Sequence, residues 1–336
     1  LLVLVYIAAV QGLSQQADSL RAYYIQEYPD HFFIWPVLKQ RSLTFDIQDK
    51  EEKERKIEFI PNNRFTFGAG FYLFDLGFEV TFAIPLNEDS KAIYGESSAR
   101  DLQLNILSKK WGADVYYQKY SGFYMKDSDA PVPKGDPYPQ RSDLVTRNYG
   151  VSGVYIFNHR KFSLRSSFTY AERQLRSKGS VLLYGTINSF KLTADSALLH
   201  PSVQNSVGNG SGFSAMRYTT VSIAPGYSYN LVWRKFFLNG TVALGPAHHW
   251  IKYADESGQI RDDISINSSG VARIALGYNS DRFFGGLGFS AQTRIVKFEE
   301  VRVSNSTNLF KILVGYRFKE FGVLKKRVWD INPLKF

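Results

Sequence analysis

From about residue 32 onward the chain alternates apolar and polar side chains with period two, the pattern of β-strands whose two faces meet different surroundings. Over 76–84, Leu76, Phe78, Val80, Phe82 and Ile84 share one side, and Gly77, Glu79, Thr81 and Ala83 take the other. Phe65, Phe67, Ala69, Phe71 and Leu73 repeat the pattern just before it. Phe162, Leu164, Ser166, Phe168 and Tyr170 stand against Ser163, Arg165, Ser167 and Thr169, and Phe310, Ile312, Val314, Tyr316 and Phe318 against Lys311, Leu313, Gly315 and Arg317. A soluble sandwich turns its apolar face inward, whereas a membrane barrel turns it toward lipid around a polar lumen. Runs of roughly 10 to 14 residues suffice to cross a bilayer at a tilt, which favours the barrel. Glu79, Arg165, Arg273 and Lys311 on the second face suit a wet, crowded lumen. Trp111, Trp233 and Trp250, with Tyr72, Tyr155 and Tyr229, sit near strand ends and predict interfacial girdles.

The connections point the same way. Tight turns at 74–75, 109–110, 158–160, 232–235 and 279–281 alternate with long polar stretches at 49–56, 85–99, 122–143, 174–216, 251–266 and 297–307. Barrels of the outer membrane alternate short periplasmic turns with long external loops in this manner. The pattern predicts an all-β, transmembrane, antiparallel up-and-down β-barrel of about twelve strands, with a range of 10 to 14. The expected strands are 32–47, 63–74, 76–84, 100–108, 111–121, 144–157, 161–173, 217–230, 235–248, 267–279, 282–296 and 307–318. The segment 180–191 (SVLLYGTINSFK) also reads as a strand; it is either part of a large external loop or one of an extra pair.

Residues 1–10 (LLVLVYIAAV) form the one long apolar run, too short to span a bilayer as a helix. Gly12 and Ser14 follow it, so 1–14 is expected to be a signal peptide, truncated at its start. That leaves 15–31 as a periplasmic N-terminal segment, 32–318 as the barrel and 319–336 as a periplasmic tail. The interior has no apolar run near 20 residues, which excludes a multipass helical protein. The absence of Cys excludes disulfides, thiolate metal sites and acylation as a lipoprotein.

The 26 Phe, 21 Tyr and 5 Trp fit a lipid-facing wall, and the net charge of +10 needs a partner. The cations are dispersed, not gathered in the compact patch that nucleic acid would favour. Arg165, Arg173, Arg273, Arg294 and Lys297 are expected to line the lumen or its outer mouth. There they pair with Glu79, Asp101, Asp114 and Glu172, or bind anions: lipopolysaccharide phosphates outside or an anionic solute inside. In the tail, Lys325, Lys326 and Arg327 beside Val328 and Trp329 are expected to dock an envelope protein or to pack on the barrel mouth.

Candidate chemistry is sparse. His31, His159, His200, His248 and His249 lack zincin spacing, and neither Gly-rich piece (208–212, 285–288) ends as a phosphate loop does. No catalytic, metal or cofactor residue is expected. His248 and His249 precede Trp250, and adjacent strand residues face opposite sides, so at most one of them enters the lumen. The expected role is non-enzymatic: a scaffold, a narrow channel or a subunit of an envelope complex, in contact with outer-membrane lipids including lipopolysaccharide. The rivals are a lipid-modifying hydrolase using a His and a Ser, and a soluble exported β-sandwich.

Several stretches resemble a Bacteroidetes-type family of outer-membrane β-barrels of unknown function: YIQEYPD (24–30), FIPN (59–62) with GAG (68–70), YQKYSGFY (117–124), FNHRKFSLRSSFTYAERQLRSKGS (157–180), ADSALLHP (194–201) and GYSYNLVWRK (226–235). Their order spans nearly the whole mature chain. The resemblance implies a single-domain barrel in the outer membrane and no assigned reaction. The tail beyond 318 departs from the aromatic-ended last strand usual in such barrels.

Overall fold

In the computed structural model the described residues are 19–51, 55–73, 76–204, 206–208, 210–255 and 258–321. The expected signal peptide and the tail residues Lys325, Lys326, Arg327 and Trp329 lie outside them. Eight long strands carry most of the wall: β2 (His31–Asp49), β7 (Trp111–Asp127), β8 (Gln140–Ile156), β10 (Lys178–Thr193), β11 (Ala215–Trp233), β12 (Phe236–Ala254), β13 (Ile260–Asn279) and β15 (Val301–Lys319), with β14 (Phe283–Phe298) between the last two. Along β12 the parity is clean: Leu238, Val242 and Leu244 point outward, while Asn239, Thr241 and Ala243 are buried. Outward apolar side chains on neighbouring strands make a continuous belt, far larger than the scattered apolar residues of a soluble surface.

Every pairing is antiparallel, and β15 pairs β2 along nearly its full length to close the ring. With β3 (Lys56–Ile60) the order is β2-β3-β7-β8-β10-β11-β12-β13-β14-β15, so ten strands form the closed barrel. The tenth member, β3, is short and bridges β2 to β7. Three further strands, β4 (Thr66–Leu73), β5 (Leu76–Ala83) and β6 (Ser98–Leu107), are additions to that ring, so the closed count is the lower limit of the expected 10 to 14 and not the preferred twelve. We call the end where β2 begins and β15 ends proximal, and the opposite end distal. Strands of 19 or 20 residues exceed the roughly 9 to 11 that cross a bilayer, so the wall continues distally past the belt.

Two strand assignments exchange places. The segment 180–191 lies within β10, with Val181, Leu183 and Ile187 outward and Leu182, Tyr184 and Phe190 buried. The segment 161–173 is not a wall strand. It holds a short helix, α2 (Arg165–Phe168), and β9 (Glu172–Gln174), which pairs with β1 (Ile25–Glu27) in a separate two-stranded sheet. Its alternation misleads because both parities are buried: Phe162, Ser163, Leu164, Ser166, Ser167, Tyr170 and Glu172 are all at most 3% exposed. A strand facing lipid cannot bury both sides; a segment inserted into the lumen does.

This insert plugs the proximal end. Phe162 and Leu164 pack with Ile156, Leu182, Tyr184, Ala224 and Val271. Tyr170 stacks on Phe284 at 5.1 Å and joins Phe33, Tyr72, Phe237 and Leu313. Hydrogen bonds fix it to the far wall: Asn279 Nδ2 donates to the carbonyls of Ser166 and Glu172, both at 3.0 Å, and Arg317 Nη2 to that of Tyr170 at 2.6 Å. The distal mouth is filled by the 194–214 connection, which includes α3 (Pro201–Gln204). Its Leu198, Leu199, Val207 and Phe213 are buried among Phe45, Phe59, Phe190, Tyr218 and Phe298. It crosses the mouth, because Arg55 Nη1, beside the far strands β2 and β3, donates to Ser206 Oγ at 2.8 Å.

Candidate functional site

Between the two apolar plugs lies a layer of polar side chains from facing strands. Glu79 on β5 accepts from Trp35 Nε1 at 3.1 Å and pairs with Lys39 at 3.2 Å and with Lys311. Asp101 on β6 pairs with Arg41 at 2.8 Å and accepts from Gln118 at 2.8 Å and Tyr120 Oη at 3.0 Å. Arg273 reaches Asp114 at 3.7 Å, with its guanidinium over the rings of Phe168 and Tyr184. Arg294 is fully buried and donates to Tyr116 Oη at 2.9 Å, while its Nε and Nη1 meet no partner among the described residues. An inward cation in a ring of paired charges is what the lumen face of β14 predicts.

The remaining candidates fall elsewhere. Arg165 belongs to the plug, where it pairs with Glu172 at 3.1 Å and donates to Tyr72 Oη. Arg173 lies on β9, below the barrel mouth, and pairs with Asp281 at 3.2 Å. Both depart from lumen-lining strand positions because 161–173 is an insert. Lys297 faces outward: it stands three residues from Arg294 on one strand, and period two sends them to opposite sides. Trp111 and Trp233 sit at the proximal ends of their strands and Trp250 toward the distal limit of the belt, 48%, 66% and 47% exposed, on the outward face. His249 is buried and shares a 2.8 Å hydrogen bond with Thr220 Oγ1; His248 is turned outward against Trp250. His200 does meet a serine, Ser202 Oγ at 2.8 Å, but the same ring nitrogen accepts from Ser202 N at the start of α3, a local turn geometry. Among the described residues no group of His, Asp and Glu is arranged to hold a metal.

The wall itself carries the less expected feature. In the proximal half β4 pairs with Phe33–Lys39 of β2 and β5 pairs with β4, while from the other side β6 pairs with β7. Among the described residues no register joins β5 to β6, and neither has a strand partner on the edge facing the other. The outward residues beside this gap are Phe78, Val80, Phe82, Leu102, Leu104 and Ile106, all at least 40% exposed, which places it within the apolar belt. Gln103 and Asn105, on the lumen parity of β6, are exposed as well, so the polar layer is reached sideways through the wall.

Above the gap the wall forks at Gly122. There β7 leaves β6 after Ser121 and takes up β3 from Tyr124, through a register irregularity. Gly122 has φ of 77°, and a Cβ would lie 2.3 Å from the Glu96 carbonyl, so glycine is required. The connection between β5 and β6, with helix α1 (Glu88–Tyr94), is tied to this fork. Asn62 donates from Nδ2 to the Gly95 carbonyl at 2.9 Å and from N to Ser97 Oγ at 2.7 Å, and Ser97 Oγ donates to the Gly122 carbonyl. In the structure β4 and β5 have 8 residues each where most wall strands have 16 or more, a shortness that the expected strands 63–74 and 76–84 do not show.

The family model described as a domain of unknown function (DUF4421) matches residues 16–318, that is, the whole described barrel and its N-terminal segment. The chain belongs to the DUF4421 family. No curated protein matches it. Among solved structures, this DUF4421 barrel is similar to the outer membrane protease OmpT from Escherichia coli, at 9% identity over 86% of this chain and 97% of that one, with a TM-score of 0.40. It is also similar to the translocator domain of the autotransporter NalP from Neisseria meningitidis (10% identity, 94% and 97% covered, TM-score 0.35). A third likeness is to OmpT, an outer membrane protein of Vibrio cholerae (9% identity, 85% and 98% covered, TM-score 0.26).

Proposed function

We propose that this DUF4421 protein is an integral outer-membrane barrel that does not conduct and serves as a non-enzymatic subunit of an envelope complex, with a partner covering the gap between β5 and β6. The observation that carries the reading is that gap. Two strand edges without a strand partner among the described residues sit in an apolar belt, and unsatisfied backbone N–H and C=O groups in hydrocarbon cost several kcal/mol each. A protein segment that supplies a strand or a polar edge satisfies them; lipid tails do not. The two plugs argue against a diffusion channel, since both ends of the lumen are filled by buried aromatic and aliphatic side chains.

A photo-crosslinking amino acid at Phe82 or Leu104, in cells, is expected to give a discrete protein adduct of the barrel, with none from the far-wall position Leu244. Lipid adducts alone, or equal yields from Leu244, would remove the partner from the proposal. Purified barrel reconstituted in a planar bilayer is expected to be silent. Steady single-channel steps from the native protein would make it a narrow channel instead.

A further inference from the structure

Followed across the strands, the outward face displays a row of charge that no single strand reveals. Arg100 of β6 stands opposite Lys119 of β7, and Lys119 opposite Arg147 of β8. Arg147 stands opposite Lys191 of β10, Lys191 opposite Arg217 of β11, and Arg217 opposite Lys252 of β12. Six adjacent strands thus present a cation along one hydrogen-bonding row, across five strand spacings or about 24 Å. All six side chains lie on the outward parity. Lys252 has an acid beside it, Asp262 of β13 at 3.1 Å, and Arg217 Nη2 donates to Tyr149 Oη at 3.4 Å. The other four have no acidic partner among the described residues.

Like charges directly opposite one another destabilise a sheet, and here the repulsion is repeated at five successive pairs. The lumen of the same protein pairs its cations with Glu79, Asp101 and Asp114, so the row is a departure from the chain's own habit. Its place along the strands bears on its role. Two residues further toward the proximal end, the same strands present Leu102, Tyr117, Tyr149, Ser189, Thr219 and Trp250. Three of the six, Tyr117, Tyr149 and Trp250, are aromatics of the kind that mark the boundary between hydrocarbon and headgroups, and the cations stand one step beyond them on the distal side.

We propose that the row Arg100, Lys119, Arg147, Lys191, Arg217 and Lys252 binds the phosphates of a multiply phosphorylated glycolipid in the distal leaflet around the barrel. The inference rests on the membrane location proposed above. A linear array of this width holds several anionic groups side by side, and the three Arg offer forked donors suited to phosphate oxygens. The adjoining apolar belt accommodates the acyl chains of the same molecule, which a soluble anion or a nucleic acid lacks.

The test compares folded barrel in neutral detergent with the variant Lys119→Gln/Arg147→Gln/Lys191→Gln/Arg217→Gln. Each is titrated with a bis-phosphorylated diglucosamine lipid, with the same lipid dephosphorylated, and with inorganic phosphate. The native barrel is expected to prefer the phosphorylated lipid at least tenfold, with the preference shrinking as salt rises. The variant is expected to lose that preference and, freed of repulsion, to keep or raise its unfolding temperature in lipid-free detergent. A control carrying Lys134→Gln and Arg160→Gln, in a distal loop and a proximal turn, is expected to bind as the native barrel does. Equal affinity of the native barrel for both lipids, an unchanged preference in the four-site variant, or equally tight binding of inorganic phosphate would each overturn the proposal. Release of the native chain from membranes by carbonate would instead refute the membrane location, and leaves the binding result readable by itself.

Discussion

Shortening both inserts at once, with 160–176 replaced by a tight turn and 195–213 by a short Gly-Ser loop, is expected to turn a silent barrel into a conducting one. Either deletion alone is expected to leave it silent. The two plugs lie in series, and each fills its own end with side chains that are almost fully buried, Phe162 and Tyr170 proximally and Leu199 and Phe213 distally. A series path opens only when the last obstruction goes, so the two changes should be strongly non-additive. The opened lumen should be narrow, because ten strands enclose little more than their own side chains. Single-channel recording in a planar bilayer reads the result, with heat-modified gel mobility as the control for a folded wall. Conduction after the proximal deletion alone would mean that the distal loop does not seal the mouth.

Glu172→Gln should loosen the proximal plug without unzipping the wall. The carboxylate is 1% exposed, pairs with Arg21 at 2.8 Å and Arg165 at 3.1 Å, and accepts from Ser163 Oγ. Neutralising it removes the carboxylate that two guanidinium groups share in a nearly dry site, a change that costs about 3 to 5 kcal/mol for a fully buried pair. Arg21 keeps Glu27 at 2.8 Å, and both guanidiniums are about one-tenth exposed, so about 3 kcal/mol is expected. The loss should appear as faster amide exchange over 157–177, with the exchange of β11 to β13 unchanged. Equal exchange in both proteins would show that the plug is held by its apolar contacts alone. Replacing Glu172, Arg165 and Arg21 together by Leu should recover most of the stability, since no unpaired charge then remains.

The barrel was legible because period two and alternating turn lengths survive in every long strand, as in β11 to β13. The segments 161–173 and 180–191 show where that reading fails. Both alternate, but only the second keeps one side apolar or small over four successive positions, Val181, Leu183, Gly185 and Ile187, before Ser189 and Lys191. In the first, Ser163, Arg165 and Ser167 meet polar partners inside the barrel, and alternation alone does not report which side of a wall a segment lies on. Arg294 and Lys297 make the same point within one strand, where a three-residue separation excludes a shared face. The gap and the cation row escaped for a different reason. Both are properties of register between strands, and Arg100 and Lys252 come together as one row only through six strands whose pairing the sequence does not print. Of the expected acid–cation pairs, Arg273–Asp114 and Arg165–Glu172 join residues named from the sequence, whereas Glu79 takes Lys39 and Lys311 and Asp101 takes Arg41 instead.

In the seven strands from β8 to β15 each strand is paired with the next across the proximal half, whereas β2 and β7 are joined to each other only distally, by the five residues of β3. Mechanically this is a tube slit along part of its length. A closed tube resists twisting through shear carried around its circumference, and a slit interrupts that path, so the torsional stiffness of the proximal half falls sharply while its resistance to bending changes little. Torque applied at the distal loops is therefore taken up as sliding of β5 past β6, with the long strands moving as one body and the fork at Gly122 as the root of the slit.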